Sequence, residues 1–221
     1  AAVKLMLTSD DEQWRVLAIR ALRMADEKFL QSVVLRMSDD PSQSVRMELL
    51  ALMRGLEWRD VKDGLVKLIA GYDGKNRWYL EALGAVCDDF ASQVYLELVK
   101  PQQPDPKAWN ERQMNLSWRL RSPEALGDLA KCMMVSKIDV ETFRRLAYTF
   151  ALCYSDEERS RNLNFMKRFA EYESFQGEDY QTIIREFIEK DISDPDPIPL
   201  TQSYLFPRKF GIPTELGSVD E

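Results

Sequence analysis

The sequence predicts an all-α protein, an α-α superhelix of about five helical pairs. Three observations predict it: long stretches of good helix formers, apolar positions spaced at the helical period, and an arginine that returns at nearly even intervals. Only nine glycines occur in 221 residues. Leu, Ala, Met, Glu, Arg and Lys, which lose least freedom in a helix, fill the stretches between breaks. Apolar side chains recur every three to four residues, the period of a helix with one buried face. Arg15, Arg46 and Arg77 lie 31 residues apart each time, and Arg112 and Arg144 continue the series at 35 and 32. Each interval holds a helix, a short break and a second helix, which is the unit of a HEAT-like solenoid.

The elements follow in order. Ser9 and Glu12 have capping-box spacing, so a helix is expected from near residue 10. Asp40-Pro41 reads as an N-cap with proline in the first turn, which starts another near residue 41. The partner helices are Glu27–Met37, with Phe29, Leu30, Val33, Val34 and Met37 on one side, and Val61–Ala70, with Leu65, Val66, Leu68 and Ile69. The stretch Gly71-Tyr72-Asp73-Gly74 ends one pair. Pro101 through Pro106 is the longest internal break and is expected to bulge from the stack. Further helices are expected near 106–120, 123–136, 139–153, 157–173 and 178–191. Leu49, Leu50, Leu52, Leu80, Leu83, Leu146 and Leu152 should lie buried between helix layers.

The repeat domain is expected to span 1–192, and 193–221 to form a Pro-rich extended segment or linker. Prolines at 195, 197, 199, 207 and 213 exclude regular helix there. Leu200, Tyr204, Leu205, Phe206 and Phe210 stay apolar, so the segment should lie on the last helices.

Composition excludes several function classes. The formal net charge is −7, from 37 acidic against 30 basic side chains, which repels a phosphate backbone, so nucleic acid is not expected as a partner. Histidine is absent, and Cys87, Cys132 and Cys153 form no CxxC pair, so they read as buried free thiols. No Gly-rich phosphate loop, GxSxG elbow or Cys–His pair can be assembled. No catalytic residue, cofactor or metal is expected. No apolar run approaches the roughly 20 residues of a membrane span. The start Ala1-Ala2-Val3, without an initiator Met, suggests a processed chain or an excised fragment.

The acid pairs Asp10-Asp11, Asp39-Asp40 and Asp88-Asp89 fall at helix junctions and read as N-caps. Asp194 and Asp196 lack the rest of a calcium loop. Arg15, Arg46 and Arg77 are expected to brace adjacent turns through acidic partners, with anion binding the alternative.

Two stretches go beyond generic repeat character: Tyr72-Asp-Gly-Lys-Asn-Arg-Trp-Tyr-Leu-Glu-Ala-Leu-Gly84 and Trp118-Arg-Leu-Arg-Ser-Pro-Glu-Ala-Leu126. Over roughly residues 40–170 the chain resembles the HEAT segment of large exported bacterial proteins described as membrane-bound dehydrogenases. Those proteins join a sugar-dehydrogenase-like propeller, helical repeats and a c-type cytochrome. Neither a propeller nor a CxxCH haem motif occurs in this chain, and Arg121 stands where the family often has histidine.

The resemblance implies a non-catalytic scaffold outside the cytoplasm that holds neighbouring domains, a protein partner or a saccharide. The candidate binding residues are Arg77, Trp78, Tyr79, Trp109, Arg112, Trp118 and Arg121. Arg77-Trp78-Tyr79 follow a glycine turn at a helix start, where free backbone N–H groups favour an anionic or hydroxyl-rich partner. For Trp58, Trp78, Tyr79, Trp109 and Trp118, core packing is weighed against a ligand surface. The alternative class is a HEAT-like enzyme such as a DNA glycosylase or a bilin lyase, of which the glycosylase would need a basic groove.

Overall fold

The computed structural model describes residues 2–22, 27–150 and 156–193. Leu152, Cys153, Asp194, Asp196 and the Pro-rich segment from 194 onward lie outside the described residues. About four-fifths of the described residues are helical, with no strand among them. The all-α class is therefore correct. The chain divides into two compact units, Ala1–Val135 and Ser136–Glu221.

In the first unit a short α1 (Ala2–Met6) leads to α2 (Glu12–Ala21), α3 (Glu27–Met37), α4 (Gln43–Met53), α5 (Trp58–Ala70) and α6 (Arg77–Cys87). Then come α7 (Ala91–Val94), which runs into a π-helical turn over Tyr95–Val99, α8 (Glu111–Leu120) and α9 (Pro123–Val135). Packing sorts them into two rows. α2, α4, α6 and α8 contact one another in succession, and α3, α5, the π-turn and α9 do the same behind them.

The helices of the first row share one start signal. Asp11, Ser42, Asn76 and Asn110 are extended N-caps whose side chains accept a backbone N–H from the first turn, on Gln13, Val45, Tyr79 and Gln113. Of the expected caps, those of Ser9 and Asp40 are corrected, and the N-cap reading of the Asp10-Asp11 pair is borne out at Asp11. Asp11 caps α2, while Ser9 Oγ accepts from Asp11 N. Ser42 caps α4 because Asp40 turns away to hold Arg15, bonding Ser42 N as it does so. The break before α8 reaches Asn110, four residues beyond the expected start. It is tied down, since Trp109 Nε1 donates to Gln103 O at 2.8 Å and Asn110 N to Gln103 Oε1 at 3.1 Å.

The core lies between the rows. Leu49, Leu50, Leu52, Leu80 and Leu83 are all buried there, and Leu146 is buried in the second unit, as the apolar period predicts. α8 is the exception to amphipathic order. Residues 113–120 are buried throughout, although Gln113, Asn115, Ser117 and Arg119 are polar. The amides find distant carbonyls, Gln113 Nε2 donating to Val99 O at 2.8 Å and Asn115 Nδ2 to Gly74 O at 3.2 Å, while Gln113 Oε1 and Ser117 Oγ are buried with no hydrogen-bond partner among the described residues.

The second unit contains α10 (Val140–Thr149), α11 (Asp156–Glu171) and α12 (Glu178–Ser193). Asp139 caps α10 by accepting from Thr142 N. Its core is aromatic: Phe143 lies 4.7 Å from Phe175, 5.3 Å from Tyr180 and 5.9 Å from Phe169, between ring centroids. Tyr180 OH donates to Ile138 O at 2.8 Å, which anchors α12 to the start of the unit.

A braced helix row as candidate functional site

The arginine series resolves into two kinds of contact. Arg15 forms a fork on Asp40, with Nε to Oδ2 at 2.8 Å and Nη2 to Oδ1 at 2.9 Å. Its Nη1 donates to the carbonyls of Ser9 and Asp10. Arg46 donates to the carbonyls of Asp40 at 2.5 Å, Pro41 at 3.2 Å and Gly71 at 3.5 Å, and lies 5.6 Å from the Tyr79 ring centroid. Each arginine thus ties the loop before its own helix to the next loop along the row. The expected brace is present, though Arg46 uses carbonyls where a carboxylate was expected.

Arg77 does not belong to this series. Arg15 and Arg46 are the fourth residues of their helices, whereas Arg77 is the first of α6, and Leu80 holds the fourth place. The equal 31-residue spacing is therefore coincidental at its third member. Arg112, second in α8, braces backwards: Nε to Tyr72 O at 2.8 Å and Nη2 to Ile69 O at 2.6 Å, with Nη1 on Gln102 Oε1. Gly74 makes room for it, since its φ is +83° and a Cβ there would stand 3.0 Å from the Arg112 Cβ. Burial lowers the Arg112 pKa from its ordinary value.

Arg77 instead joins the two distinctive motifs. Its Nε bonds Glu81 Oε1 at 2.6 Å, one turn on in α6, and its guanidinium lies 5.0 Å from the centroid of the buried Trp118. Glu81 Oε2 also holds Arg119 Nε at 2.7 Å, and Arg119 reaches Asp88 Oδ1 at 3.1 Å. Arg119 crosses α6 at Gly84, where any Cβ would stand 2.1 Å from the Arg119 Cζ. The cluster is charge-balanced, two arginines against two carboxylates, so it offers no net attraction to an anion.

The remaining candidates divide by burial. Tyr79 is fully buried, donates its hydroxyl to Leu68 O at 2.9 Å and stacks with Tyr72 at 6.1 Å. Burial raises its pKa, partly opposed by Arg46. Trp109 is buried over the Gln103 carbonyl. Arg121 closes α8 in the left-handed region, φ 58°, ahead of Ser122, whose Oγ starts α9 by accepting from Ala125 N. Trp78 alone of the seven is openly presented, at 62% exposure.

Sequence reasoning missed the parts of Glu81, Gly84 and Arg119, and it read Asp88 as an N-cap, whereas Asp88 closes α6 and holds Arg119. The signal for Glu81 was its place four residues after Arg77. It also missed the buried Asp128, whose carboxylate accepts from Tyr95 OH at 2.8 Å, Lys100 Nζ at 2.8 Å and Lys131 Nζ at 2.9 Å. Burial would raise the Asp128 carboxyl, but these three donors outweigh it and hold it below the usual carboxylate range.

Burial pushes the Cys87 thiol up to about 12, leaving it an inert apolar group. The crevice beside it, lined by Ile69, Leu83, Leu116 and Arg119 among others, measures only about 10 Å³ and has no room for a ligand. Among the described residues no group of three or more His, Cys, Asp or Glu is placed to hold a metal, and no helix is long and apolar enough to cross a membrane.

Trp78 does not stand alone on its face. On α6 the residues turned away from the second row are Trp78, Ala82 and Ala85; on α4 they are Ser44, Met47 and Ala51; on α2 they are Trp14, at 51% exposure, Leu17 and Ala21. Arg20 and Glu48 form an ion pair of 2.9 Å between α2 and α4 on this side. Comparison with known proteins finds no matching family model, no matching curated protein and no matching solved structure.

Proposed function

We propose that this chain is a non-catalytic HEAT-like scaffold that binds a protein partner or a neighbouring domain on the outer face of α2, α4 and α6, within a larger exported bacterial protein. The observation that carries the reading is Trp78. It lies in the most distinctive motif of the sequence, yet its ring contributes to solvent-facing surface while its neighbours Arg77 and Tyr79 are engaged in bracing and packing. A large aromatic left exposed beside rigidly held neighbours suits a binding anchor, because little side-chain freedom remains to be lost on association. The two-row packing and the repeated N-caps support the solenoid reading. The glycosylase alternative gains no support, since Arg15, Arg77 and Arg119 are paired with carboxylates and Arg46 and Arg112 with carbonyls.

The test is site-specific photo-crosslinking in the full-length protein in its native cells, with p-benzoylphenylalanine at Trp78 and, as control, at Val66, exposed on α5 in the second row. A defined adduct at 78 and none at 66 is expected. The same adduct at both positions, or none at 78, would remove the reading.

A further inference from the structure

The face that carries Trp78 is complementary to itself. We infer that its partner is a second copy of this chain, seated face to face about a twofold axis that crosses α2, α4 and α6 at right angles, so that each helix lies antiparallel on its own copy. The inference rests on the module reading above and adds the identity of the partner.

The outward residues of the three helices follow one pattern. Trp14, Leu17 and Ala21 on α2, Ser44, Met47 and Ala51 on α4, and Trp78, Ala82 and Ala85 on α6 recur in steps of three and four, the spacing of a helix–helix seam. The starts of the helices share one edge of the face, because Arg15 holds Asp40 just before α4 and Asn76 Nδ2, at the start of α6, donates to Gln43 Oε1 at 2.9 Å. Both tryptophans therefore stand along the N-terminal edge, with Ala21 and Ala85 along the other. The three sets are centred between Leu17 and Ala18, Met47 and Glu48, and Glu81 and Ala82, each close to the middle of its helix. A twofold axis through these centres sets Trp14 on the partner's Ala21, Trp78 on the partner's Ala85 and Ser44 on the partner's Ala51. A ring facing a methyl fills the interface evenly. The other face-to-face twofold, with its axis along the helices, sets Trp14 against the partner's Trp78 and Ala21 against the partner's Ala85, a wedge that gapes at one edge.

The charges at the two edges suit the same antiparallel order. At the N-terminal edge, exposed Asp10 and Asp11 precede α2, Glu12 is bonded to Ser42 at the start of α4, and exposed Lys75 precedes α6. Asp73, beside Lys75, is turned onto its own backbone, accepting from Lys75 N and Asn76 N. At the C-terminal edge stand Arg20, exposed although paired with Glu48, exposed Arg54 after α4, and exposed Asp88 and Asp89 after α6, of which Asp88 is paired with Arg119. Antiparallel stacking brings Asp10 and Asp11 to the partner's Arg20, Glu12 to the partner's Arg54 and Lys75 to the partner's Asp89, and it lays helix N-termini on C-termini. The net charge of −7 on each copy opposes association, but screening over about 8 Å at physiological salt leaves the groups in contact to decide. Three helices spaced by roughly 9 Å and the roughly 16 Å run of α6 give a face of about 430 Å² per copy. That is about half of a standard stable interface, so the dimer is weak, with a Kd of about 10–100 μM.

The test is sedimentation velocity of the full chain from about 2 to about 300 μM, where a reversible monomer–dimer equilibrium is expected. Trp14→Ala leaves methyl facing methyl and Ala21→Trp sets ring against ring, so each should weaken the dimer at least about tenfold. The two together exchange ring and methyl and should return it to within about threefold of native. Both positions are exposed, and unchanged melting of the three variants verifies the fold. Lys75→Glu should likewise weaken the dimer, and adding Asp89→Lys should restore it. Should Ala21→Trp unsettle α2, this charge exchange decides by the same rule. A native chain that stays monomeric throughout overturns the inference. So does a dimer in which neither double variant is tighter than its single variants. An adduct of two copies on photo-crosslinking at position 78 supports the inference. If that crosslink captures a different protein while the native chain stays monomeric, the module reading stands and the second copy falls.

Discussion

In Ala1–Val135 the ties between successive helices of the front row run through arginines laid on carboxylates and loop carbonyls, whereas in the unit that begins at Ser136 the helices meet through aromatic rings. The contrast is one of directionality. A guanidinium fork on a carboxylate or carbonyl tolerates little displacement, so Arg15 and Arg46 must sit at the same place in their helices. Ring contacts between Phe143, Phe169, Phe175 and Tyr180 range from 4.7 to 5.9 Å and from tilted to edge-on, so their positions can drift. This explains why the arginine periodicity is clear early in the chain and carries no meaning at Arg144.

The largest way to break the comparison is Phe143→Ala. Removing a fully buried ring that touches three others should cost about 3–5 kcal/mol, and site-resolved hydrogen exchange should show protection lost in α10 and α12 but kept in α4. A cost below about 1 kcal/mol would mean that the rings do not hold that unit together.

Gly84→Ala tests the first unit. The methyl would displace the Arg119 guanidinium from Glu81 and Asp88, so a loss of about 2 kcal/mol is expected in urea unfolding. In an Arg119→Ala background the same change should cost almost nothing, because the two sites act as one. An unchanged cost there would show that the close approach is not what the glycine serves.

Asp128 sharpens the electrostatic side. Its folded-state pKa is lowered, so its contribution is present above the unfolded value of about 4 and is lost as pH falls through the folded value. Asp128→Asn should therefore destabilise by about 1–3 kcal/mol at neutral pH. The gap from the native protein should close in urea titrations carried towards pH 2, and a gap independent of pH would refute the charge argument.

Trp78→Ala, at a position 62% exposed, should change stability by no more than about 0.5 kcal/mol. A fall of 3 kcal/mol or more would mark it as a packing residue. Cys87, buried and with its thiol raised to about 12, should stay unmodified by iodoacetamide at pH 8 in the native protein and react once guanidinium is added. Native-state labelling would contradict the packing around α6.

By itself the sequence determined most of the helices and many of their buried positions, although Val66, read with the apolar positions of α5, is exposed. The apolar period placed Leu49, Leu80 and Leu146 in the core, and the residues of Glu27–Met37 marked α3 to its observed ends, because both depend on local spacing and propensity. Trp78 and Arg77 were legible as a notable pair, but their separate fates were not. One ring points to solvent and one guanidinium is spent on Glu81, a difference set by α8 packing on one side of α6 only. Likewise Asp40 reads locally as a cap, but Arg15, 25 residues earlier, claims its carboxylate and leaves the cap to Ser42. Nothing local announces that the polar residues of α8 are buried; distant carbonyls and carboxylates at Gly74, Glu81, Asp88 and Val99 receive their donors. Tertiary structure decided these points because a hydrogen-bonding group has several acceptable partners in sequence, and only the packed rows determine which of them is within 3 Å.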